Sequence, residues 1–265
     1  MQDKKWEDLQ IADDFMFGII MQNPEICRMV LELILEIQIE KIEYPEEQKS
    51  IALLRDKKSV RLDVYVKDGK GTVYDIEMQT TSKRDLALRS RYYQGMIDLN
   101  LIGKGVGYQK LNQSYIIFIC TFDPFGRGRN RYTFESICQE DRGLKLEDKA
   151  TRIFMNTKGT ADDVPGPVKR FLRFIDSASK PETDDELLII MFEELQRVRY
   201  NEDWRRDYMT YLMELQEREQ EAREEMKQEI IRTMRKNGVE PKQIAKLTGI
   251  PLEEVERIEE EAALV

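Results

Sequence analysis

The chain has no histidine among its 265 residues. That absence removes every Ser-His-Asp and Cys-His mechanism and every histidine metal site. Cysteine is scarce too. Cys27, Cys120 and Cys138 are odd in number and widely spaced, and no C-x-x-C pair exists, which excludes zinc and dithiol redox motifs. Catalysis, if any, falls to carboxylates, Lys, Arg, Tyr or a hard metal, and oxygen ligands select Mg2+, Mn2+ or Ca2+. No stretch approaches the roughly 20 apolar residues of a membrane span. The start, MQDKKWEDLQ, lacks the apolar core of a signal peptide. The expectation is a cytoplasmic protein with no membrane partner.

What is present is a strongly charged globular chain, 41% hydrophobic and 35% charged, long enough for one large core with appendages or for two domains. The net charge of −9 is unevenly spread. Residues 83–180 hold 18 Lys+Arg against 11 Asp+Glu, and residues 181–265 hold 13 against 23. Such asymmetry suggests a basic working surface and an acidic appendage.

Residues 60–79, VRLDVYVKDGKGTVYDIEMQ, place acids inside β-branched, aromatic-rich runs. Two strand arms, 60–67 and 72–79, flank an Asp-Gly turn signal. Strand side chains alternate faces. Val60, Leu62, Val64 and Val66 therefore share one face with Tyr74, Ile76 and Met78, and the other face carries Asp63, Asp75, Glu77 and Gln79. A register pairing 67 with 73 sets Asp63 opposite Glu77, and a three-residue loop makes them diagonal neighbours. Either way their β-carbons lie within roughly 5–8 Å. Paired carboxylates repel, which is resolved by a retained proton or a bound cation. The plain alternative is a half-exposed sheet whose polar face meets water, with Arg61 and Lys67 pairing the acids.

Elsewhere the spacing predicts a helix over 13–38, capped by Asp13 or Asp14 and broken at Pro24. Residues 50–55 are a weak strand, and 84–101 are helical with Leu86, Tyr93 and Ile97 on one face. GKGVG at 103–107 follows a helix and precedes a strand, the reverse of a nucleotide fingerprint, and reads as a helix-ending turn. The apolar run 114–122 predicts a strand buried on both faces. A basic glycine-rich loop follows, then strands at 131–138 and 151–157. Helices run from Val164, with long charged ones at 184–199 and 203–236.

The hairpin resembles the PD-(D/E)XK nuclease superfamily. The resemblance is closest to the recombination-promoting nuclease/putative transposase family. It rests on LDVYVKDGKGTVYDIEMQ, RSRYYQGMID, GVGYQKL, SYIIFICTFDPF and DDFMF, and covers roughly residues 10–180; the terminal TGIPLEEV also fits. It implies an α/β restriction-endonuclease-like core, a mixed central sheet flanked by helices, with an α-helical C-terminal region. It also implies metal-dependent hydrolysis of DNA phosphodiesters, tied to recombination or mobile elements. Asp63 and Glu77 become ligands of Mg2+ or Mn2+, with the Met78 carbonyl as a further ligand, and Gln79 falls in the slot of the family's lysine. Asp14 either completes the site or serves as a plain N-cap. Glutamine cannot act as a general base, but it can orient water or bond a phosphate. Arg84, Arg89 and Arg91 on the following helix, and Arg127, Arg129 and Arg131 on the basic loop, are candidate DNA contacts. Arg84 and Arg91, seven apart, share a helix face. A catalytically weak or inactive nuclease-derived binding protein is the alternative.

The expected domains are residues 1–180 for the nuclease-like core, 181–238 for a charged helical region and 239–265 for a hairpin with helix–turn–helix spacing. In that hairpin Ile244, Ala245 and Leu247 lie on the first helix, and Val255 and Ile258 on the second. Six acids against Arg257 over 251–261 oppose DNA reading. Packing or homo-oligomer formation through these C-terminal helices is the expectation.

Overall fold

The computed structural model describes residues 4–44, 50–51, 60–61, 63–82, 85–102, 105–177, 179–181 and 184–263. They form two compact units, Lys4–Glu202 and residues 203–263.

The larger unit is built on a six-stranded mixed sheet. Its strands are β1 (Ile42–Glu43), β4 (Val64–Asp68), β5 (Val73–Gln79), β6 (Ser114–Cys120), β8 (Ala150–Asn156) and β7 (Arg131–Phe134), side by side in that order. A separate pair joins β2 (Ser50–Ile51) and β3 (Val60–Arg61). The expected hairpin forms with 67 paired to 73, but its first arm is shorter than the expected 60–67: Val64–Lys67 pair with β5, and Val60–Arg61 pair with β2 instead. Its turn is held by Asp68, whose carboxylate accepts the amides of Lys70 and Thr72, both at 2.9 Å. Strand β5 then runs parallel to β6, and β6 parallel to β8, so Gln79, Cys120 and Asn156 end three adjacent strands in register. Lying between two strands, β6 is the buried strand its apolar run predicts.

The crossover from β5 to β6 is α3 (Leu86–Leu101). Leu86, Tyr93, Met96 and Ile97 pack on Val73, Ile116, Phe118, Cys120 and Phe154, the same-parity face of the sheet. Helices α1 (Asp14–Ile20) and α2 (Pro24–Leu35) touch β5 and β1 respectively, and α4 (Gly166–Ser177) and α5 (Glu186–Arg199) pack on α2. The predicted break at Pro24 is a new helix start. Pro24 takes the first-turn position, where no N–H is needed, and the Asn23 side chain accepts the amides of Glu25 and Ile26. Residues 52–55 of the weak strand candidate lie outside the described residues.

The smaller unit contains most of α6 (Glu202–Lys236), with α7 (Pro241–Thr248) and α8 (Leu252–Ala263). Ile231, Ile244, Val255 and Ile258 form its core. Gly238 and Gly249, at φ of 79° and 76°, make the left-handed turns that end α6 and α7. On α7 Ile244 is buried, whereas Leu247 on the same helix is 65% exposed. With so small a core, Ile231→Ala should cost about 2–4 kcal/mol and unfold this unit. Hydrogen exchange over 231–258 at unchanged protection of β6 checks it.

Candidate functional site

Strand β5 is buried along its whole length, including its acids. Asp75 is 0% exposed, Glu77 2% and Gln79 8%. The polar face is thus covered by α3, and the solvated half-sheet is excluded. Burying charge in such a shell is costly unless it is paired.

Asp63 and Glu77 meet as the register requires. The Asp63 amide donates to Glu77 Oε1 and the Met78 amide donates to Asp63 Oδ2, each at 3.1 Å. The N–H and C=O of one strand residue point to the same side, so the Met78 carbonyl faces toward Asp63 too. Burial first, then Glu77 and Asp14, push the Asp63 carboxyl well above its usual range, against the pull of the Met78 amide and Arg89. Burial and Asp75 do the same to Glu77. Asp14 takes the first position of α1 and lies within the electrostatic reach of Asp63; Asp13 is the N-cap residue.

Asp75 is a third acid on the same face of β5, one that the motif does not mark. Neither of its oxygens meets a donor among the described residues. The Glu77 carboxyl is within hydrogen-bonding reach, and two carboxyls bond only by sharing a proton. Burial, then Asp63, raise the Asp75 carboxyl well above the ordinary range. Period-two parity was the available signal for this third acid.

Of the candidate arginines among the described residues of this stretch, Arg89 stands at the acids. It donates to Gln79 Oε1 at 2.5 Å and to the Tyr93 hydroxyl at 2.8 Å, and lies 3.6 Å from Glu77 Oε2. Arg91 is exposed; two residues along a helix turn it about 200° from Arg89. Arg84 lies outside the described residues. Gln79 has both amide ends occupied, since its Nε2 donates to the Thr81 carbonyl at 3.3 Å.

The basic loop leaves β6 at the same sheet end. Asp123 organises it, accepting the amides of Phe125, Gly126 and Gly128 and the Tyr132 hydroxyl. Burial raises the Asp123 carboxyl, but these donors outweigh it and hold the group below its ordinary value. Gly128, at φ 69°, also accepts the amides of Thr160 and Ala161. Phe125 packs on Tyr132, Phe134 and Phe154. Arg131 pairs with Glu36 at 2.9 Å and Arg129 with Asp163 at 3.7 Å, whereas Arg127 is exposed.

A divalent cation fits this donor set in kind. Asp63, Glu77 and the Met78 carbonyl are hard oxygen donors, and Asp75, whose oxygens meet no donor among the described residues, adds a further acid beside them. Among the described residues no three His, Cys, Asp or Glu side chains stand close enough to enclose an ion. Mg2+ is commonly held by one or two carboxylates with water and substrate phosphate, so the pair suffices.

A family model described as PD-(D/E)XK nuclease family transposase matches residues 14–164, over half of the chain. No curated protein and no solved structure matches. The chain belongs to that family, and its mixed six-stranded sheet flanked by helices is the restriction-endonuclease-like α/β fold. Among the described residues no helix is long and apolar enough to cross a membrane.

Proposed function

We propose that this family member is a metal-dependent DNA endonuclease associated with recombination or mobile elements. One observation carries the reading: Asp75 and Glu77 are buried on β5, and the half-buried Asp63, just before β4, meets Glu77 near the carboxyl end of that strand, with all three carboxyl groups pushed up by burial and by one another. Strongly perturbed groups cluster at functional sites, and strand carboxyl ends are where open α/β sheets bind ligands. Asp63 and Glu77, with the Met78 carbonyl, would hold Mg2+ or Mn2+, and Asp14 lies near enough to assist through water. When bound, such a cation activates water and offsets charge on the phosphate. Arg127 and its neighbours on the Asp123-anchored loop supply phosphate contacts.

A second reading has its own observation. Arg89 already neutralises part of the acid cluster, and Gln79 is tied at both ends, which favours a weakly active or inactive DNA-binding derivative. Plasmid nicking by the purified chain in Mg2+ or Mn2+ separates the two. Nicking abolished by EDTA supports the endonuclease; DNA binding without nicking in either metal supports the derivative.

The loop geometry also ranks its arginines. Arg127→Ala should weaken DNA binding for all sequences and reduce the salt slope by about 1. Arg131→Ala should change DNA affinity far less, because Glu36 holds that guanidinium. Fluorescence anisotropy across a salt series checks both; equal effects would refute the ranking.

A further inference from the structure

Position 79 brings no charge to the site, because glutamine is neutral. A cation arrives from α3 instead. The Arg89 guanidinium donates to Gln79 Oε1 at 2.5 Å and stands 3.6 Å from Glu77 Oε2. The Tyr93 hydroxyl accepts from it at 2.8 Å. Its central carbon lies 5.4 Å from the Tyr93 ring centroid and 5.8 Å from that of Phe118. Tyr93 follows Arg89 by four residues and so shares its helix face. The opposite end of the Gln79 amide is fixed on the Thr81 carbonyl, which leaves its oxygen aimed at Arg89.

Each of these contacts suits arginine in particular. Its planar fork reaches two acceptors at once, stacks on aromatic faces and keeps its charge when desolvated. A lysine at 79 would occupy one edge of the same space. A glutamine there is a neutral acceptor that completes the fork's hydrogen bonding.

We infer that Arg89 is the resident cation of the acid site, a positioning residue that supplies from the helix the positive charge absent from position 79. The inference rests on the reading of Asp63 and Glu77 as the reacting site. Charge and placement are thereby divided between two elements: Gln79 on β5 sets the direction of the guanidinium, and Tyr93 on α3 holds its far side.

The test is a double-mutant cycle on the full chain, using Gln79→Lys, Arg89→Gln and their combination. Thermal midpoints are measured in EDTA. Arg89→Gln should lower the midpoint, and Gln79→Lys should recover most of that loss. In the parent, where Arg89 is already present, Gln79→Lys should gain at least about 5 °C less than it does beside Arg89→Gln. Equal effects of Gln79→Lys in both backgrounds would overturn the inference. Should Arg89→Gln alone fail to fold, a folded double variant is the same rescue, and a double variant that also fails to fold overturns it.

Kinetics supply a readout that a merely structural role would not move. With nicking measurable, Arg89→Gln should lower kcat at nearly constant KM for DNA, and the double variant should regain kcat. A raised KM at constant kcat would make Arg89 an ordinary phosphate contact and overturn the inference. The cycle in EDTA requires no cleavage, so a chain that never nicks defeats the endonuclease reading while the midpoints still decide the role of Arg89.

Discussion

Asp75→Asn should raise the thermal midpoint of the metal-free protein at neutral pH. Asparagine keeps the shape of the side chain and removes an acid that is 0% exposed, whose ionisation burial opposes and whose oxygens meet no donor among the described residues. Its amide N–H can donate to the neighbouring Glu77 carboxyl. Relieving the cost of a buried polar group without a partner is worth about 1–3 kcal/mol, roughly 2–10 °C for a chain of this size. The gain should also depend on pH. The Asp75 carboxyl is raised in the folded state from an ordinary value of 3.8. Folding therefore favours its protonated form, and that contribution is fully present below the unfolded value and is lost as pH rises through the folded one. The advantage of Asp75→Asn should be small near pH 4 and grow toward neutrality. Paired melts across that range in EDTA check the trend. A gain that is independent of pH, or a loss at neutral pH, would show that the carboxylate is compensated.

Asp63→Asn and Glu77→Gln should abolish nicking without unfolding the chain. Each substitution keeps an oxygen where a backbone amide now donates, to Glu77 Oε1 and to Asp63 Oδ2. Each removes one of two carboxylates proposed to hold the cation. Changes outside the ligand shell alone cost about 10–100-fold in metal affinity or activity, so loss of a ligand should exceed about 100-fold in kcat/KM. The metal-free midpoint should stay level or rise, because like-charge repulsion is relieved at burial sites. That combination, activity gone and stability kept, separates a reacting pair from a structural one. A variant nicking at near-parent rate would remove its residue from the site.

Much of this site was legible in the sequence because period-two alternation is rigid. Asp63, Asp75, Glu77 and Gln79 share parity, and the 67-to-73 register needed only a turn length. The buried β6 and the crossover α3 followed from an apolar run and a helical spacing. The burial of the polar face did not follow, since composition alone made a solvated face equally natural. The helix that covers it, LALRSRYYQGMIDLNL, is not cleanly amphipathic; Leu88, Leu99 and Tyr92 stay exposed while Ser90 and Gln94 are buried. For that reason the sequence could not single out Arg89 from Arg91. Tertiary packing chose between them. The pairing of Arg131 was illegible for a similar reason: Glu36 lies 95 residues from it, beyond any local pattern.

The central claim is that Asp63 and Glu77 hold a divalent cation, and titration of Mn2+ into the metal-free chain by calorimetry tests it most directly. The expected result is saturable binding by the parent, weakened at least about 100-fold by Glu77→Gln. Absence of binding at millimolar Mn2+, or equal affinity in parent and variant, would contradict it.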